Sequence, residues 1–139
     1  MNIVSIECST DICSVSSFKN NKLKNIIDTV AKRGSSDTLP LMLQSIIKDF
    51  DLFEEIDSFA VSIGPGSFTS VRIALSIVKG LAFGLNNNIV PVPTLEAMNY
   101  SVQDSNKHYI VINSFKNKCF IQEFKGNEAI NDPFMDNIE

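Results

Sequence analysis

The sequence predicts an α/β fold built on a mixed sheet, with elements in the order β-β-β-α-β-α-β. Three observations predict it. Three strand-like runs follow one another at the start, separated only by polar turns. Two later segments repeat apolar residues at the three-and-four spacing of an amphipathic helix. Between and after those helices stand short runs rich in Val, Ile and Phe, bounded by Gly, Pro or Asn.

Taken in order, "NIVSIE" (2–7) reads as a short buried strand and "ICSVSSF" (12–18) as a second one after the polar turn "CSTD". "NNKL" closes a hairpin into a third strand, "LKNIIDTV" (23–30), so the three run antiparallel. Asp37 is placed to cap a helix whose Leu39, Met42, Leu43, Ile46, Ile47 and Phe50 form one apolar face. Pro40 then falls in the first turn, where its missing N–H costs nothing. "SFAVSI" (58–63) alternates, with Phe59, Val61 and Ile63 on one side and Ala60 and Ser62 on the other, and runs straight into a glycine turn. A helix follows, and "NIVPVP" (88–93) is a parallel-type strand, so 57–93 forms a strand-helix-strand crossover. The remainder offers a short helix from Thr94 to about Ser101, a strand "HYIVIN" (108–113), a turn at Lys116 and Asn117, and a strand "KCFIQEF" (118–124). The acidic, Asn-rich end after Gly126 has little to bury and is expected to fray. This order is the ground plan of a ribonuclease-H-like or actin-like (ASKHA) lobe over 1–93, with 94–139 as the reduced start of a second lobe.

At 139 residues, 44% hydrophobic and 20% charged, the chain can bury one core but not two full domains. A net charge of -4 argues against a free-standing nucleic-acid binder, since phosphate neutralisation needs clustered Lys and Arg. "MNIVSIECST" lacks a basic leader and no apolar run approaches membrane-spanning length, so a cytoplasmic protein without membrane contact is expected. Cys8, Cys13 and Cys119 form no CxxC pair and leave one over under any pairing, which favours reduced thiols. His108 is the only histidine, so a histidine-rich metal site is excluded and no metal is expected. A Ser-His-Asp arrangement would have to use His108, beside a strand with no nucleophile signature; a solvated or strand-end imidazole is expected instead.

The informative stretch is "GPGSFTSVRIALSIVKGLAFG" (64–84). Gly64 and Gly66 can take backbone angles closed to other residues, with Pro65 between them, Ser67 at the N-cap and Thr69 in the first helical turn. Outward N–H groups at a strand's carboxyl edge suit a phosphate or carboxylate. A tight strand-to-helix turn needs the same residues, however, and neither a Walker lysine nor a G-x-G-x-x-G is present. In the helix, Val71, Ala74, Leu75, Val78, Leu81, Ala82 and Leu85 share the face that would pack on the sheet. A second face carries Ile73, Ser76, Ile77, Gly80, Phe83 and Gly84, and the only charges over 68–85 are Arg72 and Lys79. Small residues at 76, 80 and 84 would let another helix approach. With Phe68 and Arg72 at the helix start, and Met42 and Ile46 on the preceding helix, these residues form a candidate partner surface. A standard interface buries roughly 800 Å² per partner, which two such helices can supply. Closure of the face by the 94–139 tail is the alternative.

That stretch, together with the opening "IVSIECSTDICSVSSF", resembles the signature of the TsaB (YeaZ) family over about 1–124. The resemblance implies an actin-like ATPase fold, a cytoplasmic location and a non-catalytic paralogue of TsaD that forms a heterodimer with it. It further implies recruitment of TsaE and participation in threonylcarbamoyl transfer to the adenosine beside the tRNA anticodon, with tRNA held only through the complex. No cofactor of its own is implied, ATP or ADP belonging to the joint with TsaD. A His-x-x-x-His metal motif of catalytic relatives cannot exist in a chain with one histidine. Glu7 occupies the place of a metal-nucleotide carboxylate in active members of the superfamily, without further acidic partners. The chain departs from the family pattern at Ser70 and Ala74, where glycines are usual, at Gly34, where histidine is usual, and at Asn113 and Phe115, which replace a charged pair. The family's second lobe is also fuller than 94–139.

Two rival readings stand beside this one. A small sugar-kinase-like or ATPase domain would use Glu7, Ser9, Thr10 and the 64–69 turn for nucleotide. A self-associating domain would pair the apolar helix face with its own copy.

Overall fold

The computed structural model describes residues 1–30, 35–51 and 53–138. Strands β1 (Ile3–Glu7), β2 (Ile12–Lys19) and β3 (Lys22–Val30) are followed by α1 (Ser35–Ile47) and a 3-10 turn at Phe53–Glu55. Strand β4 (Ser58–Gly64), α2 (Phe68–Leu85), β5 (Asn88–Pro93) and α3 (Thr94–Asn99) come next. Strands β6 (Lys107–Asn113), β7 (Lys118–Lys125), β8 (Glu128–Ala129) and β9 (Phe134–Asn137) complete the order. The first sheet is five-stranded, β3-β2-β1-β4-β5, with β1 antiparallel to β2 and parallel to β4. The second runs β6-β7-β8, and β9 also pairs with β7. The α/β class and the predicted element order are those of the structure.

Turn chemistry sets the hairpins. Asn20 and Asn21 hold the left-handed φ values of a two-residue turn whose twist matches that of its strands, and Lys116 and Asn117 hold such values in the three-residue loop between Ser114 and Lys118. Helix α2 ends at Asn86, a left-handed cap at φ 55. Alternation on β1, β2 and β4 sends Val4, Ile6, Cys13, Val15, Phe59 and Val61 to the side covered by both long helices. Leu39, Leu43 and Ile46 of α1 and Ala74, Val78 and Ala82 of α2 complete that core. A smaller core joins α3 to the second sheet through Leu95, Ile112 and Phe124. There Asn99 donates from Nδ2 to the Gly126 carbonyl at 2.9 Å, and its Oδ1 lies 2.6 Å from Nε2 of His108. The His108 ring is thus a partnered imidazole near the start of β6, with Nδ1 2.9 Å from the Asn106 carbonyl.

Several expectations need correction. Asp37 lies inside the first turn of α1, because the helix begins at Ser35, and Pro40 is inside the helix. Ile63 is exposed: the β4–β5 register shifts between Ser62 and Gly64, so alternation breaks as the chain leaves the sheet. Cys8 and Cys13 are joined as a disulfide, with S–S 1.94 Å and Cα–Cα 4.2 Å, rather than being free thiols. The hairpin explains the pairing, since the Glu7–Ser14 register sets the next two residues opposite each other. Cys119 is the free thiol left over, and it is buried.

The end of the chain pairs rather than frays. Phe134–Asn137 runs antiparallel to β7, and Glu123 accepts from the Ile130 amide at 2.9 Å while its own amide donates to Asn131 Oδ1 at 3.0 Å. Backbone pairing on the free edge of β7 holds the tail even though its side chains stay exposed. Over its 18 residues α2 is long and apolar enough to cross a membrane, contrary to the expectation that no run is, yet Val71, Ala74, Val78 and Ala82 are packed into the core. Gly34 lies outside the described residues.

Phe59 is fully enclosed at the centre of the first sheet. Its replacement by Ala should cost roughly 3–5 kcal/mol in urea unfolding, whereas exposed Leu23→Ala on the edge strand should stay within about 0.5 kcal/mol. Equal effects would show that the core is not centred there.

Candidate functional site at the glycine turn and the outer face of α2

Strand β4 delivers the chain to its turn at Gly64, whose φ of +98 is strained for any residue with a side chain. The Gly64–Pro65 peptide is cis. Gly66 sits so close to the β1–β2 hairpin that a Cβ there would overlap the Ser9 carbonyl and side chain. The Ser67 amide donates to the Ser9 carbonyl at 2.6 Å. In turn Ser9 donates its amide to Oε1 of Glu7 at 2.7 Å, and its hydroxyl bonds the same oxygen.

The structure therefore gathers Glu7, Ser9, Gly64, Pro65, Gly66 and Ser67 into one cluster. Thr10 is turned to its own hairpin, where its hydroxyl shares 3.3 Å contacts with the Ile12 amide and carbonyl. Ser67 stands at the N-cap, but its hydroxyl donates to Ser70 Oγ at 3.1 Å rather than capping a helical amide. Ser70, where the family usually has glycine, is thereby used locally. Thr69 faces away and lines a groove beside Phe68 and Arg72. At this turn, then, the Ser67 N–H and one Glu7 oxygen are engaged within the chain.

The second predicted cluster lies on the outside of α2. Ile73 and Ile77 are half-buried, Ser76, Gly80 and Gly84 are open, and Phe83 is 90% exposed. A Cβ added at Gly80 or Gly84 would meet nothing within 4 Å. The Arg72 guanidinium lies over the Phe68 ring, 3.7 Å from its centroid. Helix α2 packs on β4, β5, β1 and α1, while the second sheet packs on α3, so among the described residues the outer face is not closed by 94–138.

Met42 and Ile46 do not belong to this surface. They are 6% and 0% exposed, because their part of the apolar stripe of α1 is packed into the core. Other residues of α1 take their place. Pro40 and Gln44, with the stripe residues Leu43 and Ile47, join Ile77 and Leu81 along an apolar groove of about 500 Å³ between the helices.

Charged residues reach this surface at Arg72 on the α2 side and at Lys48 and Asp51 in the groove. The ammonium of Lys19 is held above its usual range by the hydrogen bonds it donates, to Glu55 first and Asp51 second, and Asp104 is held below its usual range chiefly by the Asn106 amide. Neither group adjoins the turn or the α2 face. No group of three or more His, Cys, Asp or Glu side chains able to hold a metal is found among the described residues.

A five-stranded mixed sheet with two helices on one face, and a glycine turn launching the second helix, defines a lobe of the actin-like, ribonuclease-H-like class. The family described as TsaD: tRNA N6-adenosine threonylcarbamoyltransferase matches residues 15–121. A protein of Buchnera aphidicola (subspecies Acyrthosiphon pisum), described as tRNA threonylcarbamoyladenosine biosynthesis protein TsaB, is 36% identical over 69% of this chain and 43% of its own length. The protein of that description from Escherichia coli is 30% identical over 70% of this chain and 42% of its own length. The solved structure of YeaZ from Pseudomonas aeruginosa superposes with a TM-score of 0.83 at 22% identity, covering 96% of this chain and 66% of that one. The chain belongs to the TsaB (YeaZ) family, within the wider group that includes TsaD. It spans less than half the length of these two curated relatives.

Two glycines separate the roles of turn and face. Gly66→Ala should lose about 3 kcal/mol, the upper end for overpacking, because rigid backbone opposes it. Gly80→Ala should gain roughly 0.5–1 kcal/mol as a helix-interior glycine with free space. Chemical denaturation of both variants checks this, and a tolerated Gly66→Ala would contradict the packing at the turn.

Proposed function

We propose that this chain serves tRNA threonylcarbamoyladenosine biosynthesis as a non-catalytic, cytoplasmic docking subunit. Its occupant is a TsaD-type transferase seated on the outer face of α2 and the adjoining groove against α1. TsaE recruitment and contact with tRNA follow from the assembled complex, as does any ATP or ADP, which would sit at the joint.

One observation carries the reading: an 18-residue helix keeps its outward side nearly free of charge, with Phe83 almost wholly exposed and Gly80 and Gly84 leaving room for a second helix. Contiguous apolar surface of this kind on a monomer marks an interaction site. Small residues four apart allow close helix approach, and the flanking aromatics supply contact area. The match of this chain to a transferase family of the same ground plan makes a pseudo-symmetric pair of lobes a natural geometry. Support for a non-catalytic role comes from the turn, where Glu7 and the Ser67 amide are bonded to Ser9.

Co-expression with the TsaD subunit tests this. Gly80→Arg adds bulk and charge where nothing touches the glycine, so the chain should still fold while co-purification with TsaD falls at least tenfold, about 1.4 kcal/mol or more. Retained assembly would overturn the docking reading. Light scattering of the chain alone distinguishes a homodimer through the same face, and ATP turnover by the chain alone that is lost in Glu7→Ala would favour the enzyme alternative.

A further inference from the structure

A strand at the edge of a sheet leaves a row of N–H and C=O groups without partners, and proteins guard such edges with prolines, charges, bulges or short strands. Three of the edges here are guarded. In the first sheet, β5 carries Pro91 and Pro93, which donate no N–H, and β3 carries Lys22 and Lys24 beside a register shift between Ser17 and Phe18. In the second sheet, the side of β7 away from β6 ends in two short strands, β8 of 2 residues and β9 of 4. The edge of β6 has none of these devices. It is 7 residues long, free of proline and in unbroken register with β7, and among the described residues β7 is its only strand partner. Its one lysine is drawn inward, since the Lys107 ammonium is paired with Glu123 of β7 at 3.1 Å.

Register determines which groups that edge presents. The Ser114 amide donates to the Lys118 carbonyl at 2.7 Å, so alternation turns the backbone groups of His108, Ile110 and Ile112 toward β7 and those of Lys107, Tyr109, Val111 and Asn113 outward. Tyr109 and Val111 also expose their side chains, at 59% and 51%. A second β6 laid antiparallel about a two-fold axis at Ile110 fits this row. Lys107 then meets Asn113 and Tyr109 meets Val111 in both directions. Every outward residue gains a partner, no lysine faces a lysine, and an aromatic packs on a β-branched side chain. The edge is thus complementary to itself, as an isologous contact requires. We propose that β6 is a self-association edge that joins the second sheets of two copies of this chain into one continuous sheet, independently of the docking face on α2. A contact confined to one strand lies at the small end of interface sizes, so the dimer is weak and concentration-dependent.

Sedimentation velocity over a concentration series up to about 1 mM tests this. A dimer that grows with concentration is expected, and hydrogen exchange at the Tyr109 and Val111 amides should slow in step with it. Val111→Pro deletes an outward N–H and leaves the β7 ladder intact, so the chain should stay folded while dimerisation weakens at least tenfold. Tyr109→Lys combined with Val111→Lys sets like charges opposite each other across the axis and should weaken it as much; both positions are exposed, so this variant decides the matter should the proline unfold the chain. Tyr109→Lys combined with Val111→Glu pairs opposite charges in the same register and should restore the dimer, more tightly at low salt. Gly80→Arg on α2 should leave it unchanged. The proposal is overturned if the chain stays monomeric throughout the series, if the two-lysine combination leaves the dimer intact, if the lysine–glutamate combination fails to restore it, or if Gly80→Arg abolishes it, which would put the contact on α2.

Discussion

The hydrogen bond from the Ser67 amide to the Ser9 carbonyl, 2.6 Å long, is the constraint on which the arrangement of this lobe depends. It ties the turn after β4 to the hairpin between β1 and β2, and only a glycine at 66 lets the two backbones come that close. Once that contact is made, the start of α2 is set against the sheet. Every later position on the helix then has its direction determined by the 3.6-residue period. Val71, Ala74, Val78 and Ala82 turn inward, and Gly80, Phe83 and Gly84 outward, as one geometric consequence. The disulfide from Cys8 to Cys13 closes the same hairpin from its other side.

Two faces of the first sheet divide the labour. One is filled by α1 and α2, and the large residues Phe59, Leu39 and Ile46 make it a packed core. The other carries small and hydroxyl-bearing residues and is only partly roofed by α3, which leaves a hollow of about 280 Å³. An apolar helix surface open to solvent is unfavourable for an isolated domain. Proteins retain such a feature where another molecule covers it.

The second sheet obeys a different logic. Its core is small, built from Leu95, Ile112 and Phe124, and its last two strands bury almost nothing. What holds them is the ladder to β7 and the contacts made by Asn131, whose carbonyl accepts from Gln122 Nε2 at 2.9 Å. Asn99 performs a similar task between α3 and Gly126. Side-chain amides bridging backbone groups replace hydrophobic area here.

The chain's own pattern determined the order of elements, the two asparagine-bearing hairpin turns, the glycine turn before α2 and the division of that helix into an inner and an outer side. These are local properties: periodicity, turn preference and the shape of glycine act between neighbours in sequence. Tertiary structure alone decided which apolar residues of α1 remain available. Met42 and Ile46 belong to a stripe legible in the sequence, but only the position of the sheet consumes them and leaves Pro40, Leu41 and Gln44 outside. It likewise decided that Cys8 meets Cys13 through strand register, that an apparently unstructured tail pairs with β7, and that Ser62 and Thr94 share one hollow. Each of these depends on distances between segments far apart in the chain, and side-chain patterning carries no record of backbone groups finding partners across such separations.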